Sequence, residues 1–148
     1  MLRITELKCE YLENPIGIDD VKPRFSWILE SDGENILQQA YECKVEGMWE
    51  SGKVLSGQSN LVEYDGAPLQ PCTQYHYQVR VWDNQGEESA WKEGTFETGL
   101  MGTDFSAAWI IARQDNPLIR KEFTLDKPVR SARIYATAYG LYELELNG

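Results

Sequence analysis

The sequence predicts an all-β fold, a β-sandwich of short strands, on three observations. The first is the run Leu69 to Val81, in which the turn Gln70-Pro71-Cys72-Thr73 gives way to an alternating strand with a tyrosine at the junction. Tyr75, Tyr77, Val79 and Val81 share one face, and His76, Gln78, Arg80 and Trp82 share the other, the period of a strand with one buried side. A tyrosine at such a corner buries its ring and sends its hydroxyl back to the backbone a few residues upstream, pinning a loop that crosses between two sheets. The second observation is spacing, with about seven such segments in roughly the first hundred residues, the count expected for a small sandwich. The third is that no segment in that stretch has the period of a long helix.

The elements follow in order. Ile4 to Tyr11 alternates, with Leu7, Cys9 and Tyr11 in phase, and Asn14-Pro15 breaks the chain after it. Phe25 to Leu29 turns Phe25, Trp27 and Leu29 toward a core, and Asp32-Gly33 ends it. Gln39 to Val45 places Tyr41, Cys43 and Val45 in phase before Glu46-Gly47. Gly52 to Leu55 and Leu61 to Tyr64 are short strands, with Asp65-Gly66 as the next breaker. Tyr75 to Trp82 and Gly94 to Thr98 flank the turn Asn84-Gln85-Gly86. Gly99-Leu100-Met101-Gly102 reads as a short connector, so residues 1–99 are one sandwich and residues 100–148 a linker with the first strands of a second. In that second part, Ala107 to Ala112, Leu118 to Leu125 and Arg130 to Ala138 are β-rich, and Leu141 to Leu146 alternates up to Asn147-Gly148. Asn-Gly favours a type I′ hairpin turn. With no return strand after it, the chain reads as cut inside a domain, its open strand edges inviting self-association.

Composition narrows the function classes. The net charge of −10 comes from residues 1–99, which hold 18 of the 24 acidic residues but 8 of the 14 basic ones. An acidic surface repels phosphate backbones, so nucleic acid is not an expected partner. No apolar run reaches membrane-spanning length, and Met1 to Glu6 has no signal-peptide character, so the expected location is the cytoplasm with no membrane partner. Cys9, Cys43 and Cys72 cannot all pair within one chain, and none has a metal-ligand spacing. Cys9 and Cys43 read as small buried side chains in a reducing compartment, with a Cys9–Cys43 disulfide as the alternative.

The pattern Leu69-x-Pro71-x-Thr73-x-Tyr75 followed by alternating apolar residues resembles the fibronectin type III fold, an immunoglobulin-like sandwich. Three further segments narrow this. They are Asn14-Pro15-Ile16-Gly17-Ile18-Asp19 leading to Pro23-Arg24-Phe25-Ser26-Trp27, Trp49-Glu50-Ser51-Gly52-Lys53-Val54 before Gln58-Ser59, and Val81 to Gly86 running on to Ser89-Ala90-Trp91. In this order they resemble the N-terminal region of bacterial α-L-rhamnosidases. Trp109-Ile110, Pro117 to Phe123 and Gly140 to Gly148 are similar to the opening of the next domain of those enzymes. The resemblance implies a parent glycoside hydrolase that removes terminal α-linked rhamnose with inversion, using paired carboxylates in an α/α barrel further along the chain. It also implies that the present residues are a non-catalytic fragment whose partners are the later domains.

The residues themselves carry no catalytic, cofactor or metal site. An inverting hydrolase needs an acid and a base roughly 6.5–9.5 Å apart around a sugar pocket. Asp19-Asp20 and Glu87-Glu88 are adjacent pairs in turn-rich segments and read as solvated charge. His76 is the single histidine and faces away from Tyr75 and Tyr77, and there is no Ser/His/Asp order or phosphate-binding glycine loop. Among the five tryptophans, Trp27 belongs to the core, whereas Trp49, Trp82 and Trp91 could stack on a sugar. The alternative to a structural role is therefore a carbohydrate-binding module using Trp49, Trp82 or Trp91.

Overall fold

The computed structural model describes residues 2–113 and 118–148. The chain divides into one unit up to Ala108 and a second from Trp109. The first holds eight strands: β1 (Leu2–Cys9), β2 (Ile16–Ile18), β3 (Arg24–Ser31), β4 (Gln38–Val45), β5 (Trp49–Glu50), β6 (Val62–Glu63), β7 (Gln74–Asp83) and β8 (Lys92–Thr98). They form a three-stranded sheet in the order β1-β3-β6 and a five-stranded sheet in the order β2-β8-β7-β4-β5. The pairs are antiparallel except β2 with β8. The all-β sandwich predicted from alternation is the observed fold of this unit.

Alternation explains which side chains meet between the sheets. Phe25 and Trp27 of β3 point inward against Tyr41, Cys43 and Val45 of β4 and Tyr75, Tyr77, Val79 and Val81 of β7. Aromatic rings dominate: Phe25 stacks on Tyr77 at 4.5 Å, Tyr75 on Phe96 at 5.2 Å, and Trp27 meets Tyr41 edge-on at 5.3 Å. The Trp27 indole N–H donates to Gln38 Oε1 at 2.9 Å, which satisfies its polar edge inside the core. Cys9 and Cys43 are free thiols with no exposed surface. Burial pushes both well above the usual thiol range, so neither is a ready nucleophile.

The tyrosine corner forms as expected, with the Gln70 backbone N–H donating to the Tyr75 hydroxyl at 2.8 Å. Thr98 closes the same corner from β8: its hydroxyl donates to Gln70 O at 2.6 Å and accepts from Thr73 N at 2.9 Å.

Four features depart from the sequence reading. The ladder of β1 against β3 shifts register between Ile4 and Glu6, which moves the buried phase from Leu2 and Ile4 to Leu7 and Cys9. Tyr11 then leaves the predicted strand, because the chain turns at Glu10 and Tyr11, both at positive φ, and its side chain is exposed. The hairpin partner of β4 is Trp49–Glu50 rather than Gly52 to Leu55, which contributes a single bridge from Val54 to Tyr41. The short strand β2 was not anticipated at all.

In the second unit the predicted strands do not form. Among the described residues of 100–148, including those of Ala107 to Ala112, Leu118 to Leu125, Arg130 to Ala138 and Leu141 to Leu146, none is assigned to a strand. Pro117 lies outside the described residues. A strand is defined by a neighbour that takes up its backbone groups in a ladder, and among the described residues of these segments no ladder forms. Trp109 stacks on Tyr139 at 4.5 Å, and the Tyr142 hydroxyl donates to Ala136 O at 3.3 Å. Asn147 and Gly148 take φ of 62° and 83°, the left-handed pair that a type I′ turn uses.

Candidate functional site

The outer face of the five-stranded sheet gathers the side chains that β7 turns away from the core. Arg80 is central. Its Cζ lies 4.7 Å from the Trp82 ring centre and 4.6 Å from that of Trp91, so one guanidinium serves two indoles. Lys53 Nζ sits 4.1 Å from the Trp82 ring, and Lys44 Nζ sits 5.1 Å from the Trp91 ring. The result is an alternating series, Lys53, Trp82, Arg80, Trp91, Lys44. Strand register builds it: Glu42 of β4 is directly opposite Arg80 of β7, and its Oε2 accepts from Arg80 Nε at 2.9 Å and pairs with Nη2 at 2.7 Å. Glu88 reaches Arg80 Nη1 at 3.3 Å, and Lys44 lies 3.6 Å from Glu42 and 3.3 Å from Glu50. Glu42 is buried by this network, its charge met by two cations.

The turn that carries Glu88 and Trp91 back to the sheet is held from within. Asp83 is buried, and its Oδ1 accepts from the backbone N–H groups of Gln85 and Glu87 at 2.9 and 3.0 Å. Ser89 Oγ accepts from Val81 N at 3.1 Å.

The three tryptophans proposed as a sugar platform therefore divide. Trp82 and Trp91 are brought together through Arg80, but Trp82 is only 8% exposed, and both rings are engaged by cations. Trp49 does not join them. It lies on β5 and meets Tyr64 edge-on at 5.5 Å, beside an open groove of about 490 Å³ that also touches Tyr41, Gln58 and Glu63. Sequence reading missed Arg80, Lys44, Lys53 and Glu42 as a group, since only the register of β4 on β7 shows that they meet.

One member of each carboxylate pair is likewise committed to structure. Asp19 Oδ1 accepts from Met101 N at 2.6 Å, and Glu88 pairs with Arg80. His76 is exposed on the outer face of β7. Among the described residues, no group of three His, Cys, Asp or Glu side chains could hold a metal ion, and no helix is long and apolar enough to cross a membrane.

Residues 4–102 match the family model of the Rha78A-like N-terminal immunoglobulin domain. The chain belongs to this family. An α-L-rhamnosidase of Streptomyces avermitilis is 43% identical over 122 residues, a match covering 75% of this chain and 12% of that protein. One from Formosa agariphila is 33% identical over 165 residues, covering 94% of this chain and 18% of the relative. The chain thus spans less than a fifth of the length of these relatives. Among solved structures, the Streptomyces avermitilis α-L-rhamnosidase complexed with L-rhamnose superposes with a TM-score of 0.73 at 41% identity, over 76% of this chain and 12% of that one. The Dictyoglumus thermophilum α-L-rhamnosidase gives 0.65 at 38% identity, over 68% and 12%. The Rha78A-like N-terminal domain accounts for the sandwich.

Proposed function

We propose that this chain is the non-catalytic N-terminal part of an α-L-rhamnosidase, a structural sandwich that packs against later domains of the enzyme. The observation that carries this reading is the family match over residues 4–102 within relatives five or more times longer. The full-length protein would hydrolyse terminal α-L-rhamnosides with inversion, through carboxylates outside these residues. In this reading residues 100–148 begin the second β-sandwich. An aryl α-L-rhamnoside tests it: the full-length protein should turn the substrate over and the 148-residue chain should not. Turnover by the chain that disappears on replacing one of its own acids would overturn the assignment.

A carbohydrate-binding role for Trp82 and Trp91 is the weaker reading, because stacking on a sugar needs an open ring face and theirs lie against Arg80, Lys53 and Lys44. Titration with rhamnose or rhamnosides should leave the tryptophan fluorescence unchanged. The exposed Leu141, Leu144 and Tyr139 belong, in this proposal, to strands completed by the rest of their domain. Separated from it, they favour self-association, which light scattering on the 148-residue chain and on a version ending at Gly99 would detect as a difference in mass.

A further inference from the structure

We propose that the end of the sandwich from which the chain leaves β8 is its interface with a later domain of the full-length protein, an inference resting on the reading above that such domains follow. Two features of that end carry it.

The exit is clamped rather than slack. Along one side, Thr95 N donates to Asn14 Oδ1 at 2.9 Å, Glu97 N to Pro15 O at 2.9 Å, Gly99 N to Ile18 O at 2.7 Å and Met101 N to Asp19 Oδ1 at 2.6 Å. On the other side, Cys72 N donates to Gly99 O at 2.8 Å and Thr98 N to Thr73 O at 3.0 Å. The connector glycines serve this geometry. A Cβ on Gly99 would lie 2.7 Å from Asp19 Oδ1, and Gly102 turns the chain at a φ of 78°. The segment is therefore bonded on both sides at Gly99 and on one side at Met101 as it leaves the sandwich.

Beside this exit, backbone strain is used to hold apolar side chains in water. Cys9 and Leu12 exchange backbone hydrogen bonds of 2.9 and 3.0 Å around Glu10 and Tyr11, whose φ values are 47° and 68°. Asn-Gly would make that turn without strain. Here the Glu10 carboxylate holds it instead, accepting from Arg24 N at 2.6 Å, Nε at 3.0 Å and Nη2 at 2.6 Å. The turn presents Tyr11 at 63% and Leu12 at 60% exposure, β2 adds Ile16 at 64%, and the connection after it adds Val21 at 70%. Strain kept at an exposed site marks a use for the conformation. Glu13 and Asp20 are exposed between these residues, so the matching surface is apolar with a basic margin.

Hydroxyl-radical footprinting of side chains tests the proposal, comparing the 148-residue chain with the full-length protein. Tyr11, Leu12, Ile16 and Val21 should be modified at least about threefold less in the full-length protein, as expected on burial in an interface core. Leu37, at the opposite turn beside Asn84, and Leu55 should be unchanged. Equal modification in the two proteins, shielding only at Leu37 and Leu55, or shielding in the 148-residue chain that grows with its concentration would each overturn it. Leu12→Asp with Val21→Asp should leave the melting of the 148-residue chain unchanged and restore full modification of Tyr11 in the full-length protein. Continued protection there would also overturn it. Rhamnoside turnover by the full-length protein is scored separately, so the catalytic reading and the interface can fail independently.

Discussion

β7 and the segment Leu141 to Leu146 both alternate apolar and polar residues, but they occupy different surroundings. β7 lies between β4 and β8 and is bonded along both edges, with Tyr75, Tyr77, Val79 and Val81 under the opposite sheet. Leu141, Leu144 and Leu146 have no ladder partner and stand exposed. Alternation prepares a segment to be a strand, and a neighbour makes it one, because unpaired backbone groups in the extended form gain nothing over water. The difference also bears on function. A sandwich that closes its own core can act as a module, whereas no described residue of the second unit is in a strand.

Making the same substitution in both units would sharpen or break this contrast. The largest effect is expected for tryptophan. Trp27→Ala removes a buried indole and should cost on the order of 3–5 kcal/mol, while Trp109→Ala, exposed beside Tyr139, should stay within about 0.5 kcal/mol. Urea midpoints would show this, and equal shifts would end the distinction.

Tyrosine hydroxyls give a middle-sized test. Tyr75→Phe leaves Gln70 N without its acceptor at the corner and should cost about 1–3 kcal/mol. Tyr142→Phe, whose hydroxyl makes one long exposed bond to Ala136 O, should leave the thermal midpoint where it was.

The smallest expected effect is electrostatic and appears only in acid. The Arg24 side chain, and then its backbone N–H, hold the Glu10 carboxyl below its usual range, against a partial opposing effect of burial. A carboxylate lowered in the folded state stabilises above its unfolded pKa, and that stabilisation is lost as pH falls through the folded value. Glu10→Gln should therefore flatten the decline in stability below the ordinary carboxylate range and bring wild type and variant together at the lowest pH. Glu122→Gln, in an exposed pair with Arg120, should leave the urea midpoint at neutral pH unchanged. Urea melts from neutral pH into acid would separate the two, and parallel curves for wild type and Glu10→Gln would remove the pair from the account.

What could be read in the sequence was what depends on one segment at a time. The faces of β3 and β7, the buried Cys9 and Cys43 and the Tyr75 corner follow from period and turn chemistry alone. What could not be read depends on register or on a neighbour. The shift between Ile4 and Glu6 rephases β1, and β2 is a strand only because Pro15 O and Ile18 O accept from β8 and its extension. The site behaved likewise. Trp82 and Trp91 were visible as aromatics, but the cations over their rings come from β4, β7 and Lys53, and cross-strand placement is invisible in a linear pattern. Gly99 and Gly102 marked a short connector, but the sequence did not show that one permits the approach of Asp19 and the other a turn.

Residue-resolved amide exchange on the 148-residue chain, at a dilution where it is monomeric, tests the central claim most directly. The account predicts the slowest exchange at amides between β4 and β7, such as those of Glu42 and Arg80, and near-random-coil exchange across residues 118–148. Protection within Arg130 to Ala138 or Leu141 to Leu146 comparable to that of β7 would contradict it, by showing that the second unit forms paired strands by itself.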